Sequence, residues 1–136
     1  MSLPSSHDTG VHVLRVRYAE TDQMGVAHHG SYIPWIEEAR TEWMRGRGMS
    51  YRELEETGLA LAVTRVSVRY IRSAHYDDRV RIETQLLARR EASVDIGYRL
   101  FLAEGNAAGP LLAEATTRLA LIGPDKKPRR LPDSLF

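Results

Sequence analysis

Apolar and polar residues alternate along residues 11–18, and this period of two predicts a first β-strand. The apolar face of this strand carries Leu14, Val16 and Tyr18. Residues 19–30 follow neither a helical nor a strand period and include two glycines, so they predict a loop. The chain is therefore expected to begin with one strand followed by a long irregular connection.

A helical period begins after this loop and continues to about Arg45. Ser31 is the expected N-cap, and Pro34 falls in the first turn, where a missing amide hydrogen is harmless. The apolar positions form one wide stripe, which consists of Tyr32, Ile33, Trp35, Ile36, Ala39, Trp43 and Met44. A stripe of this width predicts a helix that a curved sheet encloses. The capping-box pair Ser50 and Glu53 predicts a second, short helix at about residues 51–57.

Four further strands are predicted after Gly58, where the period returns to two. Their apolar faces carry Val66, Val68 and Tyr70; Val80, Ile82 and Leu86; Val94, Ile96, Tyr98, Leu100 and Leu102; and Leu119 and Leu121. The connections AHYDD, RREA and EGNAAGP are short, so neighbouring strands are expected to pair as antiparallel hairpins. This order predicts an α+β fold, with a five-stranded antiparallel sheet wrapped around one long helix.

Composition indicates one globular domain, since 136 residues are 43% hydrophobic and 27% charged. The domain is expected over residues 11–123, between a flexible N-terminal tail of residues 1–10 and an irregular C-terminal tail of residues 124–136. No stretch approaches the roughly 18 apolar residues of a membrane span, and the N-terminal tail lacks the features of a signal peptide. A cytoplasmic protein is therefore expected.

Charge and residue usage exclude several kinds of site. The net charge of +1 provides no overall field that would recruit nucleic acid or an acidic membrane. The chain has no cysteine, which excludes disulfides, thiolate metal sites and a cysteine nucleophile. Asp22, His28, His29 and Glu37 lack the spacing of metal ligands, so no metal is expected.

Asp22 lies in the glycine-containing loop that precedes the long helix. The N-terminus of a helix presents free amide groups and a partial positive charge, so it can polarise a carbonyl and stabilise an oxyanion. A carboxylate aimed at the same point can act as a nucleophile or a general base. From spacing alone, the alternative is that Asp22 only caps a turn.

The segment from Tyr18 to Arg40 resembles the 4-hydroxybenzoyl-CoA thioesterase family of hotdog-fold acyl-CoA thioesterases. The residues that carry the resemblance are Asp22, Gly25, His29, Tyr32 and the helix ending Glu37-Glu38-Ala39-Arg40. A weaker second match covers Val68 to Asp78.

This resemblance implies a hotdog fold and the hydrolysis of an acyl-CoA thioester to a carboxylate and free CoA. It implies no cofactor, because CoA is part of the substrate. Asp22 takes the position of the family's catalytic carboxylate, and His29 that of the residue whose backbone amide polarises the thioester carbonyl. Tyr18 matches a tyrosine beside the carboxylate, and Tyr32 a tyrosine of the substrate site. Because the family builds its site across a dimer, a homodimer or homotetramer is expected.

Arginines are the candidates for binding the CoA phosphates, because their planar forks match phosphate geometry. Arg72 ends one predicted strand, and Arg89 and Arg90 form a pair after the next; the alternative is that all three are ordinary surface positions. Arg40 falls inside the apolar stripe, with Glu37 as its expected ion-pair partner. A subunit contact or the lining of a substrate channel is the functional alternative for Arg40.

Two other functions stay open. A hotdog hydratase or dehydratase uses a D-x-N-P-x-H arrangement, which the residues after Asp22 do not match. A non-enzymatic acyl-CoA-binding protein is the second alternative, and the presence of Asp22 argues only weakly against it.

Overall fold

The computed structural model describes residues 9–49 and 51–136. The helices and strands in this part of the chain are β1 (Gly10–Arg15), α1 (Tyr32–Gly46), α2 (Tyr51–Glu56), β2 (Ala60–Tyr70), β3 (Arg79–Arg89), β4 (Ser93–Glu104) and β5 (Ala107–Ile122). Two short 3-10 turns, Tyr18–Glu20 and His29–Ser31, flank the loop before α1. The predicted α+β class and the five-stranded antiparallel sheet around one long helix are confirmed. Ser50 and most of the predicted N-terminal tail lie outside the described residues.

The strand order β1-β3-β4-β5-β2 corrects one part of the prediction. β3, β4 and β5 form the expected hairpins, but β2 pairs with β5 at the edge of the sheet instead of with β3. The segment between β2 and β3 crosses over β5 and β4, with Ala74 fully buried and its carbonyl accepting the Ala27 amide at 2.8 Å. β2 therefore has one unpaired edge within the chain.

The core lies between α1 and the concave face of the sheet. The predicted alternation is seen in the buried strand residues, which include Val80, Ile82, Val94, Ile96, Leu100, Leu119 and Leu121. α1 buries six of the seven residues of its apolar stripe against this face. The exception is Ile33, which is 39% exposed. No described helix has the length and apolar character needed to cross a membrane.

Two boundaries differ from the predicted ones. β1 ends at Arg15, so Tyr18 leaves the strand and belongs to a 3-10 turn. The connection between β4 and β5 is only a two-residue turn, and Pro110 is part of a strand. The β4–β5 register shifts next to this proline, which is where a sheet tolerates a residue without an amide hydrogen.

The C-terminal segment, residues 124–136, contains no helix or strand and packs on the domain. Leu131 and Leu135 are buried with the core, and the Phe136 ring lies 5.9 Å from that of Trp43. The Arg89 guanidinium donates to the Pro132 carbonyl at 2.6 Å and to the Leu135 carbonyl at 3.2 Å.

Candidate active site

Asp22 organises a tight turn with one of its two carboxylate oxygens. Its Oδ1 accepts the Met24 amide at 2.8 Å and the Val26 amide at 3.4 Å. Gly25 donates its amide to the Asp22 carbonyl at 3.0 Å and has a φ of 79°, a left-handed conformation that favours glycine. In the described part of the chain, Oδ2 accepts no hydrogen bond. Turn capping therefore uses one oxygen and leaves the other available for chemistry.

Glu20 fixes this loop to α1. Its Oε1 accepts the Arg17 amide at 2.7 Å, and its Oε2 accepts the Trp35 indole N–H at 2.8 Å. Burial on its own raises the pKa of Glu20, but the hydrogen bonds from Arg17 and Trp35 and the Arg17 charge outweigh this effect and lower that pKa. Glu20 was absent from the sequence-based candidates, because its contact with Trp35 depends on the folding of the loop onto the helix.

Ser31 does not cap α1 in the way that its position predicts. Its backbone is helical, and its hydroxyl makes no capping hydrogen bond to the helix amides. The Ser31 hydroxyl donates instead to the Glu20 carbonyl at 2.8 Å, and the same carbonyl accepts the His28 amide at 3.1 Å. The residue joins the entrance of α1 to the loop that carries Asp22.

A cavity of about 370 Å³ opens beside this loop. Its lining consists of Asp22, Val26, Ala27, His28, His29, Tyr32, Tyr70, Ile71, Arg72 and Ser73. The structure thus brings four of the predicted site residues, Asp22, His29, Tyr32 and Arg72, to one cavity. It does not place Tyr18, Arg89 or Arg90 in that lining.

Tyr70 contacts both His29 and Tyr32, the two aromatic residues of the cavity that the sequence predicted as site residues. The His29 ring stacks on Tyr70, with 4.2 Å between the ring centroids and 21° between the ring planes, and the Tyr32 ring meets Tyr70 edge-on at 5.0 Å. The Tyr70 hydroxyl donates to the His29 carbonyl at 2.9 Å. The His29 amide is the first of its 3-10 turn and donates no hydrogen bond to another described residue. A free amide and a free carboxylate oxygen therefore belong to residues of the same cavity.

Residues 16–135 match the family model of the thioesterase-like superfamily. The chain belongs to this superfamily. It is 36% identical over 123 residues to the acyl-CoA thioester hydrolase YbgC of Escherichia coli O6:H1, a match that covers 90% of this chain and 89% of YbgC. It is also similar to the DHNA-CoA thioesterase of Staphylococcus aureus, with a TM-score of 0.83 and 33% identity, over 90% of this chain and 80% of that one.

The fold is also that of a 4-hydroxybenzoyl CoA thioesterase solved with 4-hydroxybenzoyl CoA. That similarity has a TM-score of 0.85 at 16% identity and covers 94% of this chain and 96% of the other. It supports the hotdog architecture of this thioesterase-like chain, and the resemblance read from its sequence is confirmed at the level of the superfamily and the fold.

The remaining predicted residues of this thioesterase-like chain lie away from the cavity lining. Tyr18 is 80% exposed, and its ring meets that of Tyr76 edge-on at 5.7 Å. Arg89 is the last residue of β3, and the first residue of that strand adjoins the Asp22 loop. A strand of eleven residues is about 33 Å long, so Arg89 lies at the far end of the strand from this loop. Arg90 forms an ion pair with Asp95 at 2.7 Å. Hydrogen bonds from Arg118 and Arg90 hold the pKa of Asp95 well below its usual range.

Arg40 does not form the expected ion pair with Glu37 within the described residues. Its guanidinium points inward and donates to the Tyr98 hydroxyl at 3.2 Å. Tyr98 is buried and shares a 2.7 Å hydrogen bond with the Thr117 hydroxyl. The prediction was wrong because an arginine on this face of α1 reaches a polar group of the sheet, which helical spacing alone does not reveal.

Proposed function

We propose that this protein is an acyl-CoA thioester hydrolase that releases a carboxylate and free CoA. The observation that carries the proposal is that Asp22, with one unused carboxylate oxygen, and His29, with an unused backbone amide, line the same cavity. The activities named for YbgC and for the S. aureus enzyme support the same substrate class.

In the proposed reaction, the thioester carbonyl oxygen accepts a hydrogen bond from the His29 amide, where the chain enters α1. A preorganised donor of this kind contributes about 10²–10³ in rate, because it stabilises the oxyanion that develops in the transition state. Oδ2 of Asp22 then has two routes. It attacks the carbonyl carbon, expels CoA thiolate and leaves a mixed anhydride that water hydrolyses, or it removes a proton from the attacking water.

Thiol release from a panel of acyl-CoA thioesters tests the activity directly. We expect wild-type protein to release free CoA from at least one aromatic, short-chain or medium-chain thioester. Hydration of an enoyl-CoA without thiol release would identify a hydratase instead. Binding of acyl-CoA with neither reaction would identify a binding protein.

Arg72 is proposed to contact a CoA phosphate at the mouth of the cavity, where its side chain is exposed and its NH1 donates to the Leu111 carbonyl at 3.2 Å. Replacing Arg72 with alanine should raise KM for CoA thioesters about two- to fivefold with little change in kcat, because an exposed phosphate contact holds substrate and transition state equally. The effect should shrink at high salt and with acyl-pantetheine thioesters, which lack the nucleotide.

Arg52→Ala, on α2 with a side chain that is 90% exposed, is the matched control for Arg72. Equal losses on CoA and pantetheine thioesters would show that Arg72 serves the fold or the acyl site. Arg89 and Arg90 stay candidates for a CoA site only through a second copy of the chain. The double variant Arg89→Ala, Arg90→Ala tests these two residues through KM and kcat. Its stability is measured first, because the Arg89 guanidinium holds the C-terminal segment.

We also propose that a homodimer completes the site. Two such dimers are proposed to pair into a homotetramer, and the protein is proposed to be cytoplasmic. The unpaired edge of β2 supports the dimer, because a second copy of this edge could pair with the backbone amides and carbonyls that no strand of the described chain pairs with. Sedimentation equilibrium should therefore give at least twice the 15.4 kDa of the chain. A fully active monomer would contradict the shared site.

A further inference from the structure

A gap separates α1 from β2, and the lining of each of two cavities includes residues of both elements. The helix packs mainly on β1 and β3, so it leaves the concave face of β2 partly uncovered. Apolar side chains line this gap: Ile33 on the helix is 39% exposed, and Val66 on the strand is 40% exposed. The cavity at one end contains Tyr32 and Tyr70 of the candidate active site. The cavity at the other end has a volume of about 240 Å³.

Polar and apolar side chains contribute equally to the lining of the far cavity, with four residues of each kind. Its lining consists of Glu37, Arg40, Thr41, Met44, Tyr51, Leu61, Val63 and Leu119. Arg40 is its cation. Among the described residues, the one hydrogen bond from the Arg40 guanidinium goes to the neutral Tyr98 hydroxyl, and no carboxylate lies within ion-pair distance. A guanidinium has five N–H donors, and a partly buried cation is costly unless an acceptor of opposite charge meets it.

We propose that this far cavity binds the distal end of the acyl group and that Arg40 selects an acyl chain ending in a carboxylate. The inference rests on the proposed thioester hydrolysis. Arg40 lies eight residues after Tyr32 on α1, which corresponds to about 12 Å along the helix axis. Carbon–carbon bonds of about 1.5 Å advance an extended chain by about 1.3 Å each, so about nine bonds cover this distance. The matching substrate is a dicarboxylic acyl thioester of about eight to ten carbons, whose methylenes lie along Ile33 and Val66.

Glu37 is the group that opposes such a ligand, because it lines the same cavity. It is exposed and makes no ion pair with Arg40, so its side chain is free to turn toward solvent when a carboxylate binds. Removing its charge with Glu37→Gln should therefore strengthen the binding of a terminal carboxylate.

The test compares kcat/KM for decanedioyl-CoA and decanoyl-CoA, which differ in the terminal carboxylate. We expect wild-type protein to favour the diacid, and Arg40→Met to lower the diacid-to-monoacid ratio about tenfold or more, as expected for loss of a charged hydrogen bond. Arg52→Met, on α2 and outside both cavity linings, should keep the wild-type ratio, and Arg40→Lys should keep part of the preference. Because Tyr98 retains its hydrogen bond to Thr117, Arg40→Met should fold, which its thermal unfolding midpoint checks.

A diacid-to-monoacid ratio that is the same in wild type and Arg40→Met would overturn the inference. So would a shift of Arg40→Met toward smaller species in sedimentation, since it would assign Arg40 to a subunit contact. Calorimetry with free decanedioate provides a readout that does not need turnover, and its affinity should fall in Arg40→Met. If no thioester is hydrolysed but decanedioate still binds in an Arg40-dependent way, the proposed activity fails and the binding site stands.

Discussion

Replacing Asp22 with asparagine is expected to lower thioester turnover about 10²–10⁴-fold while leaving the fold and CoA binding intact. Asparagine keeps the Oδ1 oxygen that accepts the Met24 and Val26 amides, so the turn should survive. It replaces Oδ2 with an amide group that neither attacks a carbonyl nor accepts a proton. The measurements are kcat by thiol release, Kd for CoA and the thermal unfolding midpoint.

Asp77→Asn is the matched control, because Asp77 is an exposed acid in the neighbouring turn and lies outside the cavity lining. Its φ of 70° is a conformation that asparagine also adopts. We expect near-wild-type turnover for this variant. Near-normal turnover in Asp22→Asn would remove Asp22 from the proposed mechanism.

Glu20→Gln should reduce the free energy of unfolding at pH 7 by about 1–3 kcal/mol, the cost of leaving a buried donor poorly paired. A glutamine has one carbonyl oxygen, so it is unable to accept both the Arg17 amide and the Trp35 indole in the way that the carboxylate does. Turnover should fall as well, because Glu20 holds the Asp22 loop against α1.

The cost of Glu20→Gln should depend on pH. Folding lowers the pKa of Glu20 below its ordinary value of 4.5, so its carboxylate stabilises the fold fully above that value. This contribution is lost as the pH falls through the lower pKa of the folded state. Urea unfolding of wild type and Glu20→Gln from pH 7 to pH 3 should therefore show a difference that narrows with acid. A difference in unfolding free energy that stays constant from pH 7 to pH 3 would contradict this prediction. The exposed change Glu56→Gln is the control.

Local periodicity was enough to predict most of the fold, since each element buries one face. The apolar stripe of α1 and the alternation in β3 and β4 reflect which face of each element is buried, so both are visible in the sequence. No sequence pattern indicates that β2 lies beside β5. This position depends on the crossing segment around Ala74, whose burial results from the assembled sheet and not from a repeating pattern.

The candidate site divides in the same way. Asp22 and His29 are seven residues apart in one loop, so sequence spacing was able to relate them. Tyr70 meets His29 from 41 positions away, and the partners of Arg89 lie 43 and 46 positions away. Contacts over such separations form only when the sheet curves around the helix, which explains why Tyr70 was missed as a site residue.

The two carboxylate oxygens of Asp22 have different roles, and this difference has an evolutionary consequence. An aspartate codon becomes an asparagine codon by one nucleotide change, and this change leaves the turn-forming oxygen in place. On the proposed mechanism, a descendant with this change would lose hydrolysis but keep a folded pocket for the thioester. A single mutation would thus convert this enzyme into a folded acyl-CoA carrier without hydrolase activity. The change would not pass through an unstable protein.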